Sequence, residues 1–260
     1  GSILLGFSQA NQQFYRYAAA DNVSINLKSK AISLVLAGGL IAAILGPEVS
    51  RYSFDFFHDY IYLATYLFAA IIQIINFVIL IFIKIKKPQL SKKSHRPLSD
   101  ILLQKNLIIA ILAAAVGYSL MSFIMTATPL QIVNVCKLGD SASATVIQWH
   151  VIAMFAPSFF TGTIINSFGN RKVMMIGLFL YAFSISFTII GQTIEHFWIA
   201  LFLCGLGWNF LYVGGSDIIA RSAFPEERAK VQGVTDFIIF IFVATGSFLA
   251  GALHSSLGWE

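Results

Sequence analysis

The chain has 260 residues, 57% of them hydrophobic and 11% charged, with a net charge of +5. Its mean hydropathy is +0.78. So few charges cannot give a soluble domain of this size a hydrated surface, which excludes an ordinary water-soluble enzyme or binding domain. The positive balance does not indicate nucleic acid, because the basic residues fall in short gaps between apolar runs.

Eight apolar segments follow one another, at about 3–19, 31–50, 60–83, 107–130, 143–166, 173–192, 197–219 and 231–253. Each is long enough to cross a hydrocarbon core of roughly 30 Å as a helix. The connections alternate in charge, and 15 of the 17 Lys and Arg residues fall in every second one. The other set holds only Arg51 and Lys137. Basic loops stay in the cytoplasm, so the first segment is predicted to run inward and the last outward. This charge pattern and the composition predict an all-α polytopic membrane protein, with the lipid bilayer as its solvent.

The stretch KIKKPQLSKKSHRPLSD, from Lys84 to Asp100, is the longest polar connection and contains Pro88 and Pro97. It reads as a linker between two helical bundles. The expected organisation is 1–83 as the end of a first bundle with three helices, 84–106 as a basic linker, and 107–260 as a second bundle with five. Loops 20–31 and 220–231 echo each other at an offset of 200 residues, with Lys28 against Arg228, Lys30 against Lys230 and Gly46 against Gly246. A parallel repeat of six-helix units produces such an echo. Cys136 and Cys204 stand far apart without metal or redox spacing. The chain opens Gly1-Ser2 without an initiator Met, and no signal peptide is expected in it.

Two motifs carry a family resemblance. Gly162-Thr-Ile-Ile-Asn166-Ser-Phe-Gly169-Asn-Arg171-Lys172 resembles the loop signature of major facilitator transporters, with Asn166 where Asp is usual and Ser167 where Arg is usual. It lies between the second and third segments after the linker, where that family places it. Gly38, Gly39, Gly46 and Pro47, in AGGLIAAILGPEVS, resemble the Gly-Pro helix motif of antiporter-type members, without the usual glycine pair after the proline. The phrases GYSLMSFIMTATPL, VIQWHVIAMFAPSFFTG and GLGWNFLYVGGSD are similar to those of a bacterial subfamily. The resemblance covers the whole chain. It implies a two-bundle fold in which the eight spans match helices four to eleven of twelve.

The resemblance also implies that the first and fourth helices of each half line a central cavity. Here those are the first, fourth and seventh segments, and each carries a polar stripe at helical spacing. The stripes are Gln9, Gln12, Gln13 and Arg16; Ser119, Ser122 and Thr126; and Asn209, Tyr212 and Ser216. Such faces turn away from lipid, either toward a substrate or toward hydrogen bonds with neighbouring helices. Tyr118, Trp149 and Trp208 stand nearby, and the mostly uncharged stripes favour a neutral or amphipathic substrate.

Intramembrane ionisable groups are candidates for ion coupling. Asp236 and His150 rank first, with Asp217 after them. Asp236 is expected to carry a proton, to pair with Arg171, or to sit near the positive end of its helix. Asp217 is expected to pair with Arg221 four residues on. His150 has the alternative of a neutral ring packed between helices, and Glu48 is expected to be solvated near the outer surface.

The expected function is secondary transport of a small molecule by alternating access, coupled to protons or another ion, with an exporter or antiporter as one form. Facilitated or symport uptake is the alternative, as is a scaffold or sensor with the same fold. No phosphate-binding loop, HExxH or GxSxG occurs, and the five histidines do not cluster, so no enzyme, cofactor or metal is expected. The expected setting is a monomer in a bacterial inner membrane, with no nucleic-acid partner. The isolated chain, lacking four helices of such a fold, is expected not to transport.

Overall fold

The computed structural model describes residues 2–53, 55–83 and 96–259. The described residues form twelve α-helices, and every predicted segment is helical. The first segment is α1 (Ser2–Gln13) and α2 (Tyr15–Asp21), divided at Phe14. The second is α3 (Lys28–Ala37) and α4 (Gly39–Ser53), divided at Gly38. Then come α5 (Leu63–Phe82), the short α6 (Leu98–Leu102) and α7 (Lys105–Leu130). The fifth predicted segment is α8 (Asp140–Phe155) with α9 (Ser158–Phe168). The rest are α10 (Asn170–Ile190), α11 (Ile194–Arg221) and α12 (Arg228–Leu257).

Six described helices are long and apolar enough to cross a membrane, and α8 with α9 makes a seventh span bent by 41°. Pro157 supplies the physical reason for the bend, since it has no N–H and crowds the turn before it. Eight spans were expected; the first segment does not count as one, because Gln9, Asn11, Gln12, Gln13 and Arg16 make it too polar, and it is also divided at Phe14. Most of the basic linker, residues 84–95, lies outside the described residues.

Helix α11 is the hub. It packs against α7, α8 and α10, and also touches α2, α3, α9 and α12. Trp208, Leu211, Tyr212 and Val213 are buried along it. Close approach depends on small residues, since lipid offers no hydrophobic drive between helices. A Cβ on Gly205 would come within 2.6 Å of the His150 carbonyl oxygen, so α8 rests directly on α11 backbone there. Elsewhere α7 packs on α12, α3 on α9, and α4 on α8. Helix α5 meets α4 and exposes Ile71, Ile75, Phe77 and Ile81, as a lipid-facing helix does.

Candidate functional site

Gln9, Gln12 and Gln13 recur at offsets of three and four on α1, so they share one helix face. That face borders a cavity of about 970 Å³. Three more amides join it: Gln73 and Asn76 from α5, and Gln148 from α8. Tyr118 and Phe155 supply aromatic surface, backed by the buried Trp208 and Tyr212, and Gly38, Gly39 and Pro47 line the α3–α4 side. A cavity of this size with convergent polar groups in an apolar wall suits a small organic ligand. Its lining residues carry no formal charge.

The cavity floor is an aromatic cluster. Trp208 and Tyr212 stack with centroids 4.8 Å apart and planes 18° apart, one helical turn along α11. Tyr118 meets both edge-on, at 5.3 and 5.2 Å, and Phe155 meets Trp208 edge-on at 5.7 Å. The buried indole N–H of Trp208 has no acceptor among the described residues.

Arg16 lies beneath this floor, 1% exposed. A buried guanidinium must be paired and hydrogen-bonded on all sides. Its Nη2 donates to Asp236 Oδ1 at 2.6 Å and to the Tyr17 hydroxyl at 3.1 Å. Its Nε donates to Ser216 Oγ at 3.1 Å, and its Nη1 donates to Gln13 Oε1 at 2.8 Å and to the Gln13 carbonyl at 2.7 Å. The rings of Tyr17 and Tyr212 lie 4.3 and 4.7 Å from the charge. The partner of Asp236 is therefore Arg16, while the expected alternative, Arg171, donates to Asn106 Oδ1 at 3.3 Å. Asp236 Oδ2 is buried without a hydrogen-bond partner among the described residues. Asp236 also borders a smaller cavity of about 420 Å³ between α1 and α12, with Gly6, Gln9 and Gln13.

At the end bearing the basic loops, polar ties close the helices together. Ser29 Oγ lies 2.9 Å from Asp217 Oδ1 and 3.1 Å from Asn166 Oδ1, and it accepts from Arg221 at 3.0 Å. The expected Asp217–Arg221 pair is present at 2.9 Å, and Asn170 donates to Asp217 at 2.7 Å. Asn166 also donates to the Asn26 carbonyl at 3.0 Å. The two echoing loops meet: Lys28 donates to the Ala220 carbonyl at 2.9 Å, while Arg228 pairs with Asp21 at 2.9 Å. The glycines of the loop motif have separate duties. Gly162 lets α9 touch the α3 backbone, and Gly169 turns the chain with φ +85°. Arg171 and Lys172 are exposed.

Other sequence candidates sit elsewhere. His150 is fully buried between α8 and α11, with Nδ1 2.7 Å from the Leu201 carbonyl oxygen, and does not border the cavity. Trp149 is 42% exposed and packs edge-on against Trp198 at 5.9 Å. Ser119 donates to the Phe242 carbonyl at 2.8 Å, and Ser122 bonds Ser247, so both tie α7 to α12. Thr126 returns its hydroxyl to the Ser122 carbonyl at 2.7 Å. Asn209 is buried and bonds Thr161, Ser158 and the Met154 carbonyl, each at 2.6 Å. Ser216 supports Arg16. Gly46 has nothing within 4 Å of a built Cβ, and Glu48 pairs with Arg51 at 2.7 Å near the end of α4. Gln73, Asn76, Gln148 and Phe155 were missed as lining residues. Gln73 and Asn76 had a readable signal, as two amides one turn apart in an otherwise apolar run.

A sequence profile of the Major Facilitator Superfamily matches residues 135–260. The chain is 40% identical over 264 residues to the riboflavin transporter RfnT of Brucella anthropi, covering 100% of this chain and 66% of that protein. It is 28% identical over 279 residues to the uncharacterized MFS-type transporter YddS of Bacillus subtilis, covering 98% of this chain and 63% of that protein. A second Bacillus subtilis protein, the uncharacterized MFS-type transporter YdeG, is 27% identical over 272 residues, covering 96% and 62%. The chain thus spans just under two thirds of the length of these curated relatives.

Proposed function

The chain belongs to the major facilitator superfamily, and we propose that its protein carries a small uncharged organic molecule across a membrane by alternating access. The observation that carries this reading is the one-sided cavity. Its lining runs from Gln13 and Tyr212 toward Pro47 and Ala144, at the ends of α4 and α8 remote from the basic loops. The opposite end is held shut by the ties around Ser29, Asp217 and Lys28. With the basic loops in the cytoplasm of a bacterial inner membrane, this is an outward-facing state. Two bundles, 1–83 and 107–260 joined by the linker 84–106, would rock about the cavity, and the contacts of α3 with α9 and α4 with α8 would be the seam between them.

The substrate in this reading is a neutral, planar heteroaromatic compound such as riboflavin. Support comes from the uncharged amide-and-aromatic lining and from the name of the 40% identical relative. Asp236 is the proposed proton carrier, because it is buried between helices and has one oxygen without a partner. His150, enclosed away from the cavity, is ranked below it.

The test uses the full-length protein in proteoliposomes, with riboflavin, an imposed proton gradient and an internal pH dye. Riboflavin-dependent proton movement that disappears in Asp236→Asn and persists in His150→Gln is the expected result. Riboflavin movement driven by its own gradient alone would replace proton coupling with facilitated transport. An absence of riboflavin movement in the wild-type protein would overturn the substrate assignment.

A further inference from the structure

Gln13 occupies an unusual place: it touches both the cavity and the buried charge beneath it. The two ends of a glutamine amide are nearly equal in shape, and its partners decide which is which. Here the partner decides. A guanidinium can only donate, so the atom 2.8 Å from Arg16 Nη1 must be the carbonyl oxygen. The Tyr212 hydroxyl donates to the same oxygen at 2.7 Å. Both lone pairs of Oε1 are then used, and the amide cannot flip without setting an N–H₂ against Arg16. Its Nε2 has no acceptor among the described residues, and Gln13 lines the cavity wall.

Resting on the transport reading above, we propose that Gln13 is the specificity-determining residue of the cavity floor, a fixed N–H donor that reads a ring carbonyl of an uncharged planar ligand. Tyr118 and Phe155, partly exposed on the same cavity and backed by the buried Trp208–Tyr212 stack, offer an aromatic surface for such a ring. Arg16 is a positioning residue here, acting on the ligand only through Gln13. A polar ligand group that fails to match an immobile donor leaves it desolvated and unpaired, which makes the discrimination steep.

The test measures binding to the purified full-length protein by ligand fluorescence, using riboflavin, lumichrome and carbazole. The first two carry ring carbonyls; carbazole is planar and uncharged but offers only an N–H donor. Wild-type protein is expected to bind the two carbonyl compounds at least roughly tenfold more tightly than carbazole. Gln13→Glu keeps the length and the oxygen facing Arg16 but has no N–H, and it is expected to erase that preference. Should that variant not fold, Gln13→Asn, which withdraws the amide by one methylene, is expected to show the same loss. Equal binding by wild type and Gln13→Glu, equal binding of carbazole, or no binding of any compound would overturn the proposal. Unchanged riboflavin transport by Gln13→Glu would sink the role of Gln13 while leaving transport standing. Carbonyl-selective, Gln13-dependent binding without transport would do the reverse.

Discussion

Arg16 and Asp236, 220 positions apart in sequence, meet at 2.6 Å in the interior and join α2 to α12. Both side chains are almost wholly out of contact with solvent, 1% and 7% exposed. Desolvating two charges costs several kcal/mol each, so the pair stabilises the fold only as a pair. Replacing Arg16 by Met, or Asp236 by Leu, strands the other charge and is expected to cost about 3–5 kcal/mol. The double replacement removes both charges and is expected to recover most of that loss. Thermal unfolding of the four proteins in detergent measures the cycle; additive losses would show that the two residues do not depend on each other.

Asn209 separates a structural polar group from a ligand-binding one. Its amide spends its hydrogen bonds on Thr161, Ser158 and the Met154 carbonyl, joining α11 to α8 and α9. Asn209→Ala takes the amide donor from Ser158 Oγ and the Met154 carbonyl, while Thr161 keeps the Pro157 carbonyl at 2.9 Å, so a loss of roughly 1–3 kcal/mol is expected. A lower melting temperature with unchanged ligand preference is expected. A change in ligand preference at unchanged stability would return Asn209 to the cavity.

Glu227 gives the loop before α12 a pH dependence. Arg96, at the end of the linker, donates to its two carboxylate oxygens at 3.1 and 2.6 Å. The Phe224 N–H adds a bond at 3.2 Å. The Arg96 hydrogen bond is the largest influence, and together these hold Glu227 down to about 2, from an ordinary 4.5. The unfolded chain therefore protonates first as pH falls. The stabilisation is complete above about 4.5 and is lost as the pH drops toward 2. Melting temperatures between pH 7 and pH 3 are expected to fall less steeply in Glu227→Gln than in wild type. Parallel curves would mean that the Arg96 contact does not bear on folding.

The helices were legible because membrane spans announce themselves through long apolar runs, although eight spans were expected where six single helices and the bent α8–α9 pair are long and apolar enough among the described residues. Breaks within spans were not: Gly38 and Phe14 interrupt helices through backbone geometry that hydropathy does not register. The cavity was half legible. The stripe Gln9, Gln12 and Gln13 does line it, because three amides on one face have no place in lipid. The stripe Ser119, Ser122 and Thr126 obeys the same periodicity yet serves α7–α12 packing and local capping, since a hydroxyl can satisfy itself on a neighbouring helix or on its own backbone. Spacing reveals a face, and only the neighbouring helices reveal what that face meets. The Arg16–Asp236 pair illustrates the limit, because no local pattern links residues on helices so distant in sequence.

The motif glycines make a paired test of close helix contact. A Cβ on Gly162 would lie 2.6 Å from the Ser29 carbonyl oxygen and 2.7 Å from Lys30 Cα. Both are backbone atoms of the α3 N-terminal turn, so no side chain can swing aside. Gly162→Ala is expected to push α9 off α3 at a cost of about 1–3 kcal/mol, loosening the closed end of the molecule. Gly46→Ala, at a position with nothing within 4 Å, is expected to be neutral or slightly stabilising through its gain in helix propensity. Equal stability of the two variants would mean that the α3–α9 contact is looser than its geometry.

Orientation is tested by the two cysteines. Cys136 is partly exposed at the end of the short π-helical turn Gln131–Val135 that follows α7, away from the basic loops. Cys204 is fully buried in α11. Only an accessible thiol reaches a bulky reagent. With the basic loops cytoplasmic, a membrane-impermeant maleimide added to the outside of intact cells is expected to label Cys136, and Cys136→Ser is expected to remove that label. Labelling only after the cells are opened would place Cys136 on the cytoplasmic side. That result would invert the whole arrangement and turn the cavity toward the cytoplasm, because the spans are linked in series and one misplaced end reverses every other.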